Sequence, residues 1–187
     1  MRLFLALNIP AAERRAIRDA IAPMRRAGRD IRWMHDAQLH ITLKFLGDQP
    51  ADAVPPLRAA LADVTANHAE FPIALGGLGA FPNLRSPRVV WLGVTPDPKV
   101  ELLPHDVERT CADLGYRLDA RAFRPHITIG RARNEVPPDA ARAVAAAARQ
   151  VRYAASVVAR SVDLMVSQLE TDGARHSLLA SLPLGGS

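Results

Sequence analysis

The residues best suited to chemistry in this chain are two copies of one tripeptide, His40-Ile41-Thr42 and His126-Ile127-Thr128. An imidazole moves protons near neutral pH, and a hydroxyl two residues along can hydrogen-bond an anionic oxygen. The flanks, LHITLKFLG and PHITIGRAR, are rich in Ile, Thr, Leu and Phe and lack helix caps, which predicts strands. Alternate side chains of a strand share a face. His40, Thr42 and Lys44 then point one way, with Ile41, Leu43 and Phe45 behind them. His126 and Thr128 repeat the division over Ile127 and Ile129. A single His-x-Thr is an ordinary half-buried strand pattern. Two copies separated by nearly half the chain imply two equivalent strands facing one phosphate, although the halves align poorly outside the tripeptides.

The elements that must position these strands follow from the spacing of apolar residues. RLFLALNIP predicts a first strand ended by Pro10, and Ile17, Ile21 and Met24 mark one face of an Arg-rich helix. IRWMH is a short strand leading into the first motif. After it comes a helix started near Pro50, with Val54, Leu57, Leu61 and Val64 on one face. Two strands are expected at 71–78 and 89–94, joined by a Gly-, Pro- and Asn-containing loop on the substrate side. Trp91 in the second of these reads as core, with base stacking as its other use. Val100, Leu103, Val107, Cys111 and Leu114 form a helix stripe ended by Gly115, and an Ala-rich helix spans about 139–149. SVDLMVSQL and HSLLASLPL close the chain as a hairpin around Thr171-Asp172-Gly173. Without steady strand-helix alternation, this order predicts an α+β fold with antiparallel sheets.

With 187 residues and 49% hydrophobic composition, the chain can bury a real core and reads as one domain, 1–187. No apolar run is long enough to span a membrane, and the first residues make a poor signal peptide, so a cytoplasmic protein is expected. Cys111 is the only cysteine, which excludes an internal disulfide and a cysteine metal cluster, and its place in the apolar stripe marks it as core filler. The net charge of +5 is carried almost wholly by arginine. Arginine suits phosphate, but many of these residues lie on evident helix surfaces, so charge supports a nucleic-acid partner only weakly. There is no Gly-rich phosphate loop, and GGLGAF lacks the dinucleotide-binding spacing. Zinc sites need three or four His, Cys or carboxylate ligands, and neither motif brings a neighbouring one, so no metal or cofactor is expected. His35, His68, His105 and His176 show no partner pattern and read as surface or structural.

With its paired motifs HITL and HITI, and with LHITLKFLG, FPNLRSPRVVWLGV, FRPHITIGRAR and the closing strand pair, the chain resembles the two-histidine (2H) phosphoesterases. Among these it is most similar to the RNA 2',3'-cyclic phosphodiesterases, also called 2'-5' RNA ligases. The resemblance implies a bilobal, pseudo-twofold α+β domain whose two antiparallel sheets line a basic cleft, with helices outside. It implies metal-free hydrolysis of an RNA 2',3'-cyclic phosphate to a 2'-phosphate, with 2'-5' ligation as a possible reverse activity. His40 would be the proton donor and His126 the acceptor, with Thr42 and Thr128 on the non-bridging oxygens. Lys44 and Arg124 are the cations that strand parity favours, and Arg131, favoured by the resemblance, needs a strand end or bulge to reach. Phe45 is expected to pack in the core. The substrate remains open between RNA ends and a small cyclic-phosphate nucleotide, and a non-catalytic RNA-binding module is the reading from another class. No obligate protein partner is expected, and a duplicated motif can complete its site within a monomer.

Overall fold

Both His-Ile-Thr segments are strands, and they lie side by side at the middle of one antiparallel sheet. In the computed structural model, which describes the chain apart from residues 96, 121, 171, 172, 186 and 187, the strands are β1 (Arg2–Asn8), β2 (Ile31–Trp33), β3 (His40–Asp48), β4 (Phe71–Asn83), β5 (Ser86–Val94), β6 (His126–Ala132), β7 (Ala154–Ala159), β8 (Ser161–Glu170) and β9 (Gly173–Pro183). Their order is β7-β4-β5-β6-β3-β1-β8-β9, with β2 paired to β6. The order reads symmetrically outward from the β6/β3 junction, so the two expected sheets are halves of one. The junction is the antiparallel pair Ile41↔Ile127, with side chains 1% and 0% exposed.

Among the described residues five α-helices cover one face: α1 (Ala11–Ala20), α2 (Ala22–Ala27), α3 (Val54–Ala66), α4 (Pro98–Asp113) and α5 (Pro138–Gln150). Their coverage is exchanged between the halves. α2, which follows β1, packs with α5, and α5 lies against β5; α4, which follows β5, packs with α3 and against β3. The core between sheet and helices gathers Leu3, Leu5, Ile41 and Ile127 with Ile17, Met24, Leu57, Leu61, Leu103 and Val144. Burying each such side chain contributes about 1.5–3 kcal/mol. On the opposite, helix-free face Phe4, Ala6 and Met165 form a small separate cluster. That face carries the histidines.

Two β-bulges overturn the strand-parity argument. Ala6 pairs with Thr42 but Leu5 pairs with Lys44, so Leu43 is an extra residue; Trp91 pairs with Thr128 but Val90 pairs with Gly130, so Ile129 is its counterpart. Beyond a bulge the faces switch. Lys44 therefore turns into the core, 2% exposed, where its ammonium donates to Glu108 Oε2 at 2.7 Å and to the Arg117 carbonyl at 2.9 Å. Phe45 turns out to the histidine face, 61% exposed, instead of packing in the core. In β6 the equivalent of Lys44 is Gly130, where a side chain would stand 2.6 Å from Ile31 Cγ2, and the equivalent of Phe45 is Arg131.

Other expectations shift at their edges. The single N-terminal helix divides at Ile21, and the anticipated 79–88 loop is instead a continuation of β4 and β5 into a tight hairpin. The edge strand β7 had no expectation. Of the turn assigned to Thr171-Asp172-Gly173, the first two residues lie outside the described ones. Cys111 is buried in the α4 stripe as read, and burial pushes its thiol up to about 11.

Lys44 ties β3 to α4 through a buried charge. Removing one partner of such a pair leaves the other uncompensated, so Lys44→Ala should lower the unfolding free energy by about 3 kcal/mol in urea denaturation, and Lys44→Met, which keeps the packing of the stem, by less.

Candidate active site

Each histidine is held by its own strand entrance. His40 Nδ1 lies 2.7 Å from the Gln38 carbonyl, and His126 Nδ1 lies 2.6 Å from the Arg124 carbonyl. A carbonyl only accepts, so each Nδ1 carries the proton and each Nε2 is left with its lone pair in the neutral form. The Thr42 hydroxyl, 3.1 Å from His40 Nε2, is the matching donor. Carried one residue either way from Ile41↔Ile127, the register sets His40 abreast of Thr128 and Thr42 abreast of His126. All four side chains share the face opposite the two isoleucines. Each histidine thus stands across the junction from the threonine of the other half.

The walls differ. The His40 ring lies 4.9 Å from the buried Phe4 ring and 5.4 Å from the ring of His176, edge-on to the latter. His176, placed by the sequence at the surface or in a structural role, is thus a third imidazole of the cleft. Only its position in β9 relative to the β8–β9 register carries that information. Behind His40, Asn8 is its β1 partner and donates to Asp163, which also accepts from Ser161 and Ser181, so one carboxylate fastens β1, β8 and β9 together. His126 stands edge-on to Phe81 at 5.1 Å, and Phe81 stacks in turn beside Trp91. Trp91 lies on this face rather than in the core expected for it, its ring over Gly79, where any Cβ would collide with it.

Of the three expected cations, Arg131 is the one brought to the histidine face, by the Ile129 bulge. Lys44 is withdrawn into the core. Arg124 precedes β6, so strand parity does not govern it, and its part in the site is the carbonyl on His126.

Electrostatics separate the two motif histidines. Burial pushes His40 down to about 4; His176 adds to the shift, and so do Arg131 and His126, against the opposing Gln38 carbonyl. Burial also lowers His126, offset by its hydrogen bond to Arg124 and reinforced by Arg131. Burial lowers His176 as well. Arg131 is itself below its ordinary value through burial and through Arg32 beside it. An anion in the cleft would reverse these effects by supplying the missing negative charge. Among the described residues no cluster of three metal-ligating side chains occurs.

A fold in which paired His-x-Thr strands meet over one cleft can be matched to known proteins. The model of the 2'-5' RNA ligase superfamily matches residues 12–170. An RNA 2',3'-cyclic phosphodiesterase from Geobacillus stearothermophilus is 45% identical over 118 residues, 62% of this chain but only 38% of that protein. One from Archaeoglobus fulgidus is 33% identical over 137 residues, 73% of this chain and 76% of its own length. The crystal structure of a Thermus thermophilus protein superposes with a TM-score of 0.82 at 26% identity, covering 100% of this chain and 99% of that one. Escherichia coli LigT complexed with 3'-AMP does so at 0.73 and 28% identity, covering 98% and 97%. This chain belongs to the 2'-5' RNA ligase superfamily.

The imidazole titrations test the site directly. In an NMR pH titration His40 should titrate near 4 and His126 below 6.5, and His176→Leu should raise the His40 value by removing a neighbouring positive charge. Because an unfolded imidazole accepts its proton near 6.5 and the folded His40 does not, stability is full above that pH. It should fall as pH drops toward 4, with His40 alone accounting for roughly 3 kcal/mol.

Proposed function

We propose that this protein hydrolyses the terminal 2',3'-cyclic phosphate of RNA to a 2'-phosphate by acid-base catalysis between His40 and His126. The observation that carries the reading is the pair of Nε2 atoms on opposed strands of one cleft, each with its Nδ1 tied to a carbonyl two residues upstream. In-line displacement at phosphorus needs a base on the attacking water and an acid on the departing oxygen, on opposite sides. Two strands related by a near-twofold junction supply that arrangement. The names of the curated relatives point to the same substrate.

His126 Nε2 takes a proton from water as its oxygen bonds to phosphorus. The P–O3' bond breaks, and His40 Nε2–H protonates O3'. The product is a 2'-phosphate with a free 3'-hydroxyl, and the two imidazoles have exchanged protonation states. Burial leaves the imidazole of His40 neutral in the free site, so its acid role depends on the substrate phosphate, whose negative charge in the cleft raises its proton affinity. Thr42 and Thr128 donate to the non-bridging oxygens, and Arg131 offsets the charge that develops on them. Because both motifs come from one chain, the reading is of a monomer complete in its chemistry. With both histidines in the same roles, a 5'-hydroxyl attacking in place of water would give a 2'-5' linkage.

An oligoribonucleotide ending in a 2',3'-cyclic phosphate, incubated with the protein and EDTA, should be converted to the 2'-phosphate. His40→Ala and His126→Ala should each lose about 10²–10⁴-fold in kcat, and Thr42→Val or Thr128→Val about 10²-fold. Product with a 3'-phosphate, or undiminished turnover in both histidine variants, would refute the mechanism. Since one imidazole must be charged and the other neutral, kcat/KM should follow a bell with its acid limb near pH 4 and its maximum below pH 6.5, read from initial rates across pH 4–8.

A further inference from the structure

Beside the histidines lies a second concavity, of about 830 Å³, lined by Arg25, Arg32, Trp33, His35, Arg131 and Arg133. β2 pairs with β6 on the same side as β3 does, end to end with it, and sets Arg32 directly opposite Arg131. Directly opposed residues share a face. The bulge that turns Arg131 toward the histidines therefore aligns Arg32 with it. The Arg32 guanidinium is backed by the start of β9, since a side chain at Gly173 would stand 3.2 Å from its Nη1. Gln38 clamps the same strand by donating to the Ala174 carbonyl.

Among the described residues none of these four arginines is paired with a carboxylate, whereas Arg18, Arg142 and Arg160 are. The nearby Asp36 is already engaged by Arg18. Four uncompensated guanidinium groups around one hollow repel one another and are stabilised by an anion that accepts in the plane of their forks. The row also has a direction. The charge of Arg131 is felt by both His40 and His126, and that of Arg32 by Arg131. Arg131, three residues past Thr128, is displaced along β6 by no more than about 10 Å. It thus borders the reacting phosphate, and Arg25, Arg32 and Arg133 lie one step beyond.

We propose that Arg25, Arg32 and Arg133 form, next to Arg131, a subsite for the phosphodiester immediately 5' of the cyclic end. The protein is then built for the ends of polynucleotides rather than for free cyclic nucleotides. The inference rests on the hydrolytic reading above and adds to it the part of the substrate that is gripped but not cut.

The test compares three substrates: adenosine 2',3'-cyclic phosphate, the dinucleotide ApA ending in a 2',3'-cyclic phosphate, and that dinucleotide with its internal linkage made a neutral methylphosphonate. Wild-type protein should favour the charged dinucleotide over the neutral one by about tenfold or more in kcat/KM, the size of a charge-assisted contact. In Arg32→Gln that ratio should fall toward one, and in Arg133→Gln it should fall in part, with Arg32→Lys restoring some of it; added salt should compress the wild-type ratio as well. Equal turnover of the charged and neutral dinucleotides by the wild type, or a ratio unaltered in both Gln variants, would overturn the subsite while leaving hydrolysis intact. Failure of the wild type to turn over any of the three would instead overturn the hydrolytic reading, and the subsite with it.

Discussion

The contact between Ile41 and Ile127 sets everything else. It is a small patch of apolar surface removed from water at the centre of the sheet, where two strands remote in sequence pair. Because the side-chain period of a strand is two, fixing these isoleucines inward fixes His40, Thr42, His126 and Thr128 outward without any further instruction. A slip of one residue in either strand would bury a histidine and expose an isoleucine, so the hydrophobic effect that stabilises the fold also guards the register of the site.

Near-symmetry of the backbone does not make the two halves chemically alike. The position five residues past each histidine is an exposed aromatic ring, Phe45, in one half and a cation, Arg131, in the other. The equivalents just before them are a buried lysine bound to α4 and a glycine that admits Ile31 and Trp33. The histidines likewise have different neighbours, an imidazole beside one and a phenyl-indole pair beside the other. The cleft is therefore lopsided, with a cation, Arg131, on one side and an exposed ring, Phe45, on the other. Burial lowers both imidazoles, and His176 beside His40 lowers that one further.

Most of the fold could be read from the chain. The alternation of apolar residues gave the motif strands, and helical spacing placed Leu57, Leu61, Leu103 and Val107 inward as found. What could not be read was set by tertiary pairing. A bulge inserts one residue without a sequence mark, so parity put Lys44 in the cleft and Phe45 in the core, and both were reversed. Trp91 was assigned to the core because its strand is apolar, yet the absence of a Cβ at Gly79 makes room for it on the other face. His176 lies far from both motifs, and nothing local announces that β9 will bring it to His40. Single residues opposite a gap or beside a distant strand carry their meaning only once the partner is in place.

The position of β8 and β9 has a consequence for the life of the molecule before it is complete. β1 finds its outer partner only in β8, where Phe4 meets Met165, and the walls of His40 are finished by a side chain from β9. Pairing across so much intervening sequence carries a large loop-closure cost and delays assembly. On the ribosome, β4, β5, β6 and β7 have all emerged before the strand that closes the other half exists. A chain lacking β8 and β9 would keep the His126 side and leave β1 with an open edge, a form marked for aggregation or proteolysis. The order of the strands therefore ties competence to the presence of β8 and β9.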